Sequence, residues 1–145
     1  MGKECYKLTL YSEDEFMQVV AVIGSIAAKY AIAPAIEFKI TLALDELISN
    51  VFNYAFVDGD VPEVEVIICA AKGKVFAKVV DTGMPFDSSA LAKPELDVPI
   101  EKRTKPVGGM GVHLVRNMMD SFAYYRHGNK NTVLISWTIE PENRA

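Results

Sequence analysis

The alternation of apolar and polar residues along the first third of the chain predicts a strand followed by a helix. Residues 6–11 alternate as a half-buried strand whose apolar face carries Tyr6, Leu8 and Leu10. Ser12 followed by Glu15 has the spacing of a capping box, in which both side chains satisfy backbone groups at a helix start. Apolar residues at helical spacing then predict a helix that ends near Tyr30.

A second helix and a hairpin follow. Pro34 stands where the first turn of a helix tolerates proline, and an apolar stripe at helical spacing runs from there towards Ala55. The stripe consists of Ile36, Ile40, Leu44, Leu47 and Val51. Residues 64–71 and 75–80 are two β-rich runs separated by a glycine-containing turn, which predicts an antiparallel hairpin.

The last part of the chain predicts a long irregular segment, a helix and a closing hairpin. Residues 84–107 contain four prolines and no sustained period, and a third helix is expected after Gly111. Two further β-rich runs, 122–125 and 133–137, predict the hairpin. This order of elements predicts an α+β fold, a two-layer sandwich in which helices cover one face of a mixed, mostly antiparallel sheet.

Length and charge restrict the class of protein. A chain of 145 residues suits a single domain that spans residues 1–145 and needs neither disulfides nor a structural metal. With 15 basic against 19 acidic residues, the net charge of −4 disfavours nucleic acid as a direct partner. One short basic cluster, residues 102–105, is sufficient only for a small phosphate-bearing ligand.

The cysteines and the lack of membrane signals predict a cytoplasmic protein. Cys5 and Cys69 are far apart in sequence, lack the paired spacing of zinc sites, and are expected to be buried in strands, which favours a reducing compartment. The start of the chain has no signal-peptide core. No apolar run approaches the ~18 residues of a membrane span, so no membrane association is expected.

The second helix carries polar residues beside its apolar stripe. Glu46, Asn50 and Tyr54 follow one another at intervals of four and therefore stack along one side of the helix. Asn50 offers an uncharged oxygen ligand for Mg²⁺, and Glu46 offers a proton acceptor one turn away. An ordinary solvated helix face would show the same spacing, and the motif by itself leaves both interpretations open.

Two further motifs contain glycines beside other polar groups. Asp81 ends a predicted buried strand, where its carboxylate could accept a hydrogen bond from a ligand amine, and Gly83 permits close approach of the backbone. A plain turn is the alternative. Gly108, Gly109 and Gly111 directly precede a predicted helix, so that bare amides and the positive helix end favour phosphate, although helix-entry glycines also occur for packing alone.

Taken together and in order, these three motifs resemble the nucleotide-binding boxes of the GHKL ATPase superfamily. The resemblance extends over nearly the whole chain. The small size and the run at residues 109–120 are similar to the bacterial anti-sigma factor serine-protein kinases within that superfamily. The resemblance implies a Bergerat-type ATP-binding domain.

The resemblance also implies roles for residues around the base and the metal. Asn50 would hold Mg²⁺ between the phosphates of ATP, and Asp81 would bind the adenine amino group. Gly83 would line the base pocket. Thr132 falls at the strand threonine that helps this aspartate to read adenine, although Asn131 precedes it where the superfamily usually has glycine.

The phosphates are assigned in the same way. Three glycines would wrap the triphosphate, namely Gly108, Gly109 and Gly111. Residues 87–107 would form the lid. Arg103 or Lys105, just before the glycines, would neutralise charge that develops on the γ-phosphate.

The resemblance implies a serine kinase. Glu46 matches the general base, which would accept a proton from a serine hydroxyl in a kinase or from water in an ATPase. The expected substrate is a small antagonist protein, and a sigma factor is the expected second partner; a homodimer is common for this type. The alternatives are an ATP-binding regulatory module without transfer activity and a slow ATPase that switches a protein interface.

Overall fold

The computed structural model describes residues 2–85 and 119–139 of the chain. Within them, five strands and two long helices follow one another, with a single 3₁₀ turn, Glu13–Glu15, before the first helix. The elements are β1 (Glu4–Leu10), α1 (Phe16–Lys29), α2 (Pro34–Tyr54), β2 (Val64–Ala71), β3 (Lys74–Asp81), β4 (Ser121–His127) and β5 (Lys130–Thr138). The predicted third helix and most of the predicted irregular segment lie outside the described residues.

The five strands form one sheet in the order β1-β2-β3-β5-β4. Every described strand pair is antiparallel, in line with a mostly antiparallel sheet, and β2–β3 and β4–β5 are the two predicted hairpins. In the β2–β3 turn, Gly73 has a φ of 85°, a left-handed conformation that glycine adopts without steric cost. The α+β fold predicted from the sequence is confirmed.

Strand alternation creates one apolar face, which α1 and α2 cover. Along β2 and β3 the residues on this face are fully buried, and those on the other face are mostly more exposed. The helices contribute their predicted stripes to the same core, including Val19, Ile23, Leu44 and Leu47. Among the described residues, no helix combines the length and the apolarity that crossing a bilayer requires.

The start of α1 differs from the predicted capping box. The Ser12 side chain makes no capping hydrogen bond, and the chain enters α1 through the 3₁₀ turn. Glu15 does reach back, but its carboxylate accepts a hydrogen bond from the backbone N–H of Tyr11 instead of that of Ser12. The tight turn therefore places the carboxylate one residue earlier than a capping box requires.

The interpretation of Cys5 and Cys69 as two separate cysteines, both buried, is wrong. The register of the β1–β2 pair places the two residues directly opposite each other, and they form a disulfide; Cys5 is exposed and Cys69 is buried. A separation of 64 residues in sequence gives no information on distance once antiparallel strands pair. The cysteines therefore do not support a reducing compartment.

Candidate functional site

The first part of the site lies on α2, where the predicted polar residues are less exposed than a solvated helix face would be. Asn50 is 1% exposed and Glu46 is half-buried. The side-chain amide of Asn50 donates a hydrogen bond of 3.2 Å to Glu46 Oε2. A buried carboxamide that contacts a half-buried carboxylate excludes the solvated-face alternative for Asn50.

The surroundings of Glu46 favour its protonated form relative to a glutamate in water. Burial raises the pKa of Glu46, the hydrogen bond from Asn50 lowers it, and the neighbouring carboxylate of Asp45 raises it again, with a net upward shift. The pKa of Asp45 is raised as well, by burial and by the charge of Glu13. A carboxylate with a raised pKa is a better proton acceptor when it is ionised.

The second part of the site lies at the end of β3. Asp81 is 5% exposed, and its Oδ1 accepts hydrogen bonds from the backbone N–H of Gly83 at 2.8 Å and from the amide of Asn131 at 2.9 Å. Burial raises the pKa of Asp81, while these two hydrogen bonds and the positive charge of Arg126 lower it; the net shift is upward.

Gly83 joins the two parts of the site. The loop that follows β3 packs on the C-terminal end of α2, where the backbone N–H of Met84 donates to the carbonyl oxygen of Ala55 at 2.8 Å. A Cβ at position 83 would lie 2.8 Å from the Cβ of Ala55 and closer still to its carbonyl oxygen. Glycine is therefore required at position 83 for packing against the end of α2. This packing role is additional to the predicted role of Gly83 in lining a base pocket.

Because of this contact, the residues on α2 and those on β3 share one end of the fold. Asn50 precedes Ala55 by five residues, which is about 7.5 Å along a helix axis. The structure thus brings Glu46, Asn50 and the loop after Asp81 to the same side of the sheet.

Asn131 is the residue of this site that the sequence did not assign. It lies opposite Asp81 in the β3–β5 register and donates to the carboxylate from there. Strand alternation turns the neighbouring Thr132 to the opposite face of the sheet, where its register partner is Val80. The side chains of Thr132 and Asp81 therefore lie on opposite faces of the sheet, and this geometry does not support the predicted role of Thr132 in base recognition. The only sign in the sequence that position 131 takes part in the site was that asparagine stands there in place of the usual glycine.

The phosphate-binding residues predicted from the sequence cannot be placed in this geometry. Gly108, Gly109 and Gly111 lie outside the described residues, as do Arg103, Lys105 and the predicted lid. Within the described part, no group of three or more His, Cys, Asp or Glu residues could hold a metal ion. The one predicted metal ligand there is Asn50, whose carboxamide oxygen suits Mg²⁺ when phosphates and water supply the remaining ligands.

Comparison with known proteins agrees with this geometry. Residues 12–137 match the family described as histidine kinase-like ATPase domain. The chain belongs to this family. The match includes both parts of the site as well as the predicted glycine motif.

One curated relative of this ATPase domain is the serine/threonine-protein kinase BtrW of Bordetella bronchiseptica. It is 25% identical over 108 residues, which is 74% of this chain and 75% of BtrW. Together with the family match, this relation supports an activity that uses ATP.

Two solved structures share the fold. The structure of the RsbU and RsbW domains of Rv1364c from Mycobacterium tuberculosis matches with a TM-score of 0.61 at 16% identity, over 94% of this chain and 32% of that chain. The histidine kinase domain of the blue-light activated histidine kinase from Erythrobacter litoralis EL346 matches with a TM-score of 0.52 at 18% identity, over 88% of this chain. This chain spans about a third of the first protein and 60% of the second.

Proposed function

We propose that this ATPase domain binds Mg·ATP at the end of the sheet where α2 meets the loop after β3. In this proposal Asp81 accepts a hydrogen bond from the adenine amine, and the carboxamide oxygen of Asn50 is a ligand of Mg²⁺. When bound, Mg²⁺ neutralises phosphate charge. The resemblance of their motif assigns Gly108, Gly109 and Gly111, which lie outside the described residues, to binding of the triphosphate.

We further propose that the domain transfers the γ-phosphoryl group of ATP to a serine of a protein. The serine oxygen forms a bond to the γ-phosphorus as the bond from that phosphorus to the β,γ-bridging oxygen breaks, and ADP leaves. Glu46 accepts the hydroxyl proton. Arg103 or Lys105 neutralises the charge that develops on the transferred group.

The observation that carries this proposal is the pair formed by Glu46 and Asn50. A general base has to lie within hydrogen-bond reach of the proton that it accepts, and it is more effective when its pKa is close to the working pH. Glu46 contacts the residue proposed to hold the metal, and burial raises its pKa. The similarity to a serine/threonine-protein kinase supports the choice of a serine acceptor.

The proposed partners are those implied by the resemblance of the sequence motifs to the anti-sigma factor serine-protein kinases. The substrate is a small antagonist protein of an anti-sigma factor, and a sigma factor is the second partner that the domain sequesters. The RsbW domain among the structural neighbours has the same fold. A location in the cytoplasm, where ATP is available, and assembly as a homodimer are further parts of this proposal.

The test uses the full chain with γ-labelled Mg·ATP and a panel of small antagonist proteins. We expect label on a serine of one panel member, at a rate well above the release of free phosphate. Nucleotide binding with release of free phosphate alone would instead identify a slow ATPase. Binding without either product would identify a regulatory module, and no binding of adenine nucleotide would reject the proposed function.

A further inference from the structure

Asn131 has a side-chain amide whose orientation is fixed by its neighbours. Its Oδ1 accepts two hydrogen bonds from β4, one from the hydroxyl of Tyr124 at 2.7 Å and one from Nη1 of Arg126 at 2.9 Å. The same guanidinium nitrogen also donates to the carbonyl oxygen of Gly83. Because a guanidinium N–H can only donate, Arg126 determines which end of the amide is oxygen, and the Tyr124 hydroxyl donates to the same atom.

The other end of the amide faces three acceptors. Nδ2 of Asn131 donates to Asp81 Oδ1 at 2.9 Å, to the carbonyl oxygen of Met84 at 2.9 Å and, at 3.3 Å, to that of Gly83. One buried side chain thus ties the carboxylate to the backbone of the loop that packs on α2. Asn131 itself is 2% exposed, so these bonds are formed away from bulk water.

An amide at position 131 satisfies both sides of this arrangement. A carboxylate of the same shape would keep the acceptor towards Tyr124 and Arg126, but would present an oxygen to the acceptors on the other side. An apolar side chain would leave Oδ1 of Asp81 with one donor fewer. A buried acceptor that loses its donor is costly.

The consequence for Asp81 is an asymmetric carboxylate. Both hydrogen bonds that the described residues give to this side chain end on Oδ1, and Oδ2 receives none from them. We propose that Asn131 is a positioning residue for nucleotide recognition: it fixes Oδ1 of Asp81 so that Oδ2 of the ionised carboxylate accepts a hydrogen bond from an exocyclic base amine. This inference rests on the proposed binding of ATP.

The arrangement also selects between bases. An ionised carboxylate accepts from the amine of adenine and is repelled by the carbonyl oxygen that guanine carries at the corresponding position. A protonated carboxyl group could donate to that carbonyl oxygen instead. Because its hydrogen bond favours the ionised form of Asp81, Asn131 contributes to a preference for adenine over guanine nucleotides.

Two substitutions with opposite pH dependence test this role. The affinities for Mg·ADP and Mg·GDP are measured by calorimetry on the full chain between about pH 4.5 and about pH 8.5, a range that begins just above the ordinary pKa of an aspartate. Asn131→Ala removes a donor to Asp81, so we expect protonation of Asp81 to lower the ADP affinity by about tenfold more at the acidic end than at the alkaline end. The preference for ADP over GDP should narrow at the same acidic pH.

Asn131→Asp should show the reverse. Two adjacent carboxyl groups hold a proton between them at the acidic end of the range, so the new group can donate to Asp81 there as the amide did. As that proton leaves, two carboxylates face each other and ADP affinity should fall, by about tenfold towards the alkaline end. The two opposed slopes distinguish a positioning role from a general loss of structure.

The control is Ser136→Ala, which removes the hydrogen bond between Ser136 and Ser121 elsewhere on β5. We expect this variant to keep the wild-type pH profile. Equal losses of affinity at every pH in both Asn131 variants would overturn the inference. If Asn131→Asp does not fold, as judged by circular dichroism, the pH dependence of ADP affinity in Asn131→Ala is by itself the test of the inference. A wild-type protein that binds no Mg·ADP would reject the proposed function itself.

Discussion

Each part of the site contains a carboxylate whose pKa is raised by burial, and the two parts differ in the groups that surround this carboxylate. Asp81, at the end of β3, receives hydrogen bonds from Gly83 and Asn131 and lies near the charge of Arg126. Glu46, on α2, receives a hydrogen bond from Asn50 and has the like charge of Asp45 beside it. In both residues the net shift of the pKa is upward.

This difference fits the proposed division of roles, with nucleotide recognition at Asp81 and phosphoryl transfer at Glu46. Asp81 is held by a loop and by a neighbouring strand, so its carboxylate has a fixed direction, which suits reading a base. Glu46 lies on a helix and accepts a hydrogen bond of 3.2 Å from Asn50, and the neighbouring carboxylate of Asp45 favours uptake of a proton by Glu46. Four predictions test this division, beginning with the largest effect.

The largest effect is expected from Glu46→Gln. The substitution keeps the size of the side chain and an acceptor for the Asn50 amide but removes the proton acceptor, so phosphoryl transfer should fall by about 10²- to 10⁴-fold. ADP affinity should stay close to wild type. Labelled-phosphate transfer and calorimetry on one preparation measure the two quantities.

The control for this variant is Glu37→Gln, the same substitution in the first turn of α2. It should leave transfer unchanged. Wild-type transfer in Glu46→Gln would remove Glu46 from the base role. For the wild-type protein, the raised pKa of Glu46 predicts that transfer increases with pH as this group loses its proton, at a pH above the ordinary range of a glutamate.

The second effect is expected from Asn50→Ala. Loss of the proposed metal ligand should weaken Mg-dependent ATP binding by about tenfold to a hundredfold, as measured by calorimetry with and without Mg²⁺. The variant also loses a hydrogen bond that lowers the pKa of Glu46, so the remaining transfer activity should require a higher pH. Ser49→Ala, which removes a polar group from the adjacent position on α2, should leave the Mg²⁺ dependence intact. An Mg²⁺ dependence equal to wild type in Asn50→Ala would refute the assignment.

The third effect concerns the contact between the two parts. Gly83→Ala places a Cβ against the backbone and side chain of Ala55, and overpacking of this kind should lower the free energy of unfolding by about 1–3 kcal/mol. Urea denaturation measures the change. Gly24→Ala, where the added Cβ has only Glu37 Oε2 at 4.0 Å, is the matched control and should not destabilise the protein. Equal stability of the two variants would contradict this packing role of Gly83.

The smallest effect is expected from Asp81→Asn in the protein without nucleotide. Since the folded-state pKa of Asp81 is raised, its contribution to stability is complete below the pKa of an unfolded aspartate and is lost as the pH rises through the folded value. A neutral side chain should therefore stabilise the protein at pH 7 by about 0.5–1 kcal/mol. Asp58→Asn, at an exposed position, is the control. If Asp81→Asn is instead less stable than wild type, the hydrogen bonds that the Asp81 carboxylate accepts contribute more to stability than burial of its charge costs.

Most of the fold could be predicted because it depends on local periodicity. The alternation around Leu8 and the helical stripe that includes Leu44 identified β1 and α2 within a few residues of their observed ends. The residues that carry polar chemistry, Glu46, Asn50 and Asp81, were also evident, since their spacing and position at element ends are local features. The capping box at Ser12 failed because a 3₁₀ turn with the same residues was an alternative local solution.

By itself, the sequence determined which segments become strands and helices, since a period of two or of about 3.6 residues defines the face that leaves water. Only the tertiary structure decided which distant residues meet. The β1–β2 register pairs Cys5 with Cys69, and the β3–β5 register places Asn131 beside Asp81. Pairing register and the packing of a loop on a helix depend on many contacts distant in sequence, and a shift of one residue would turn Asn131 to the other face.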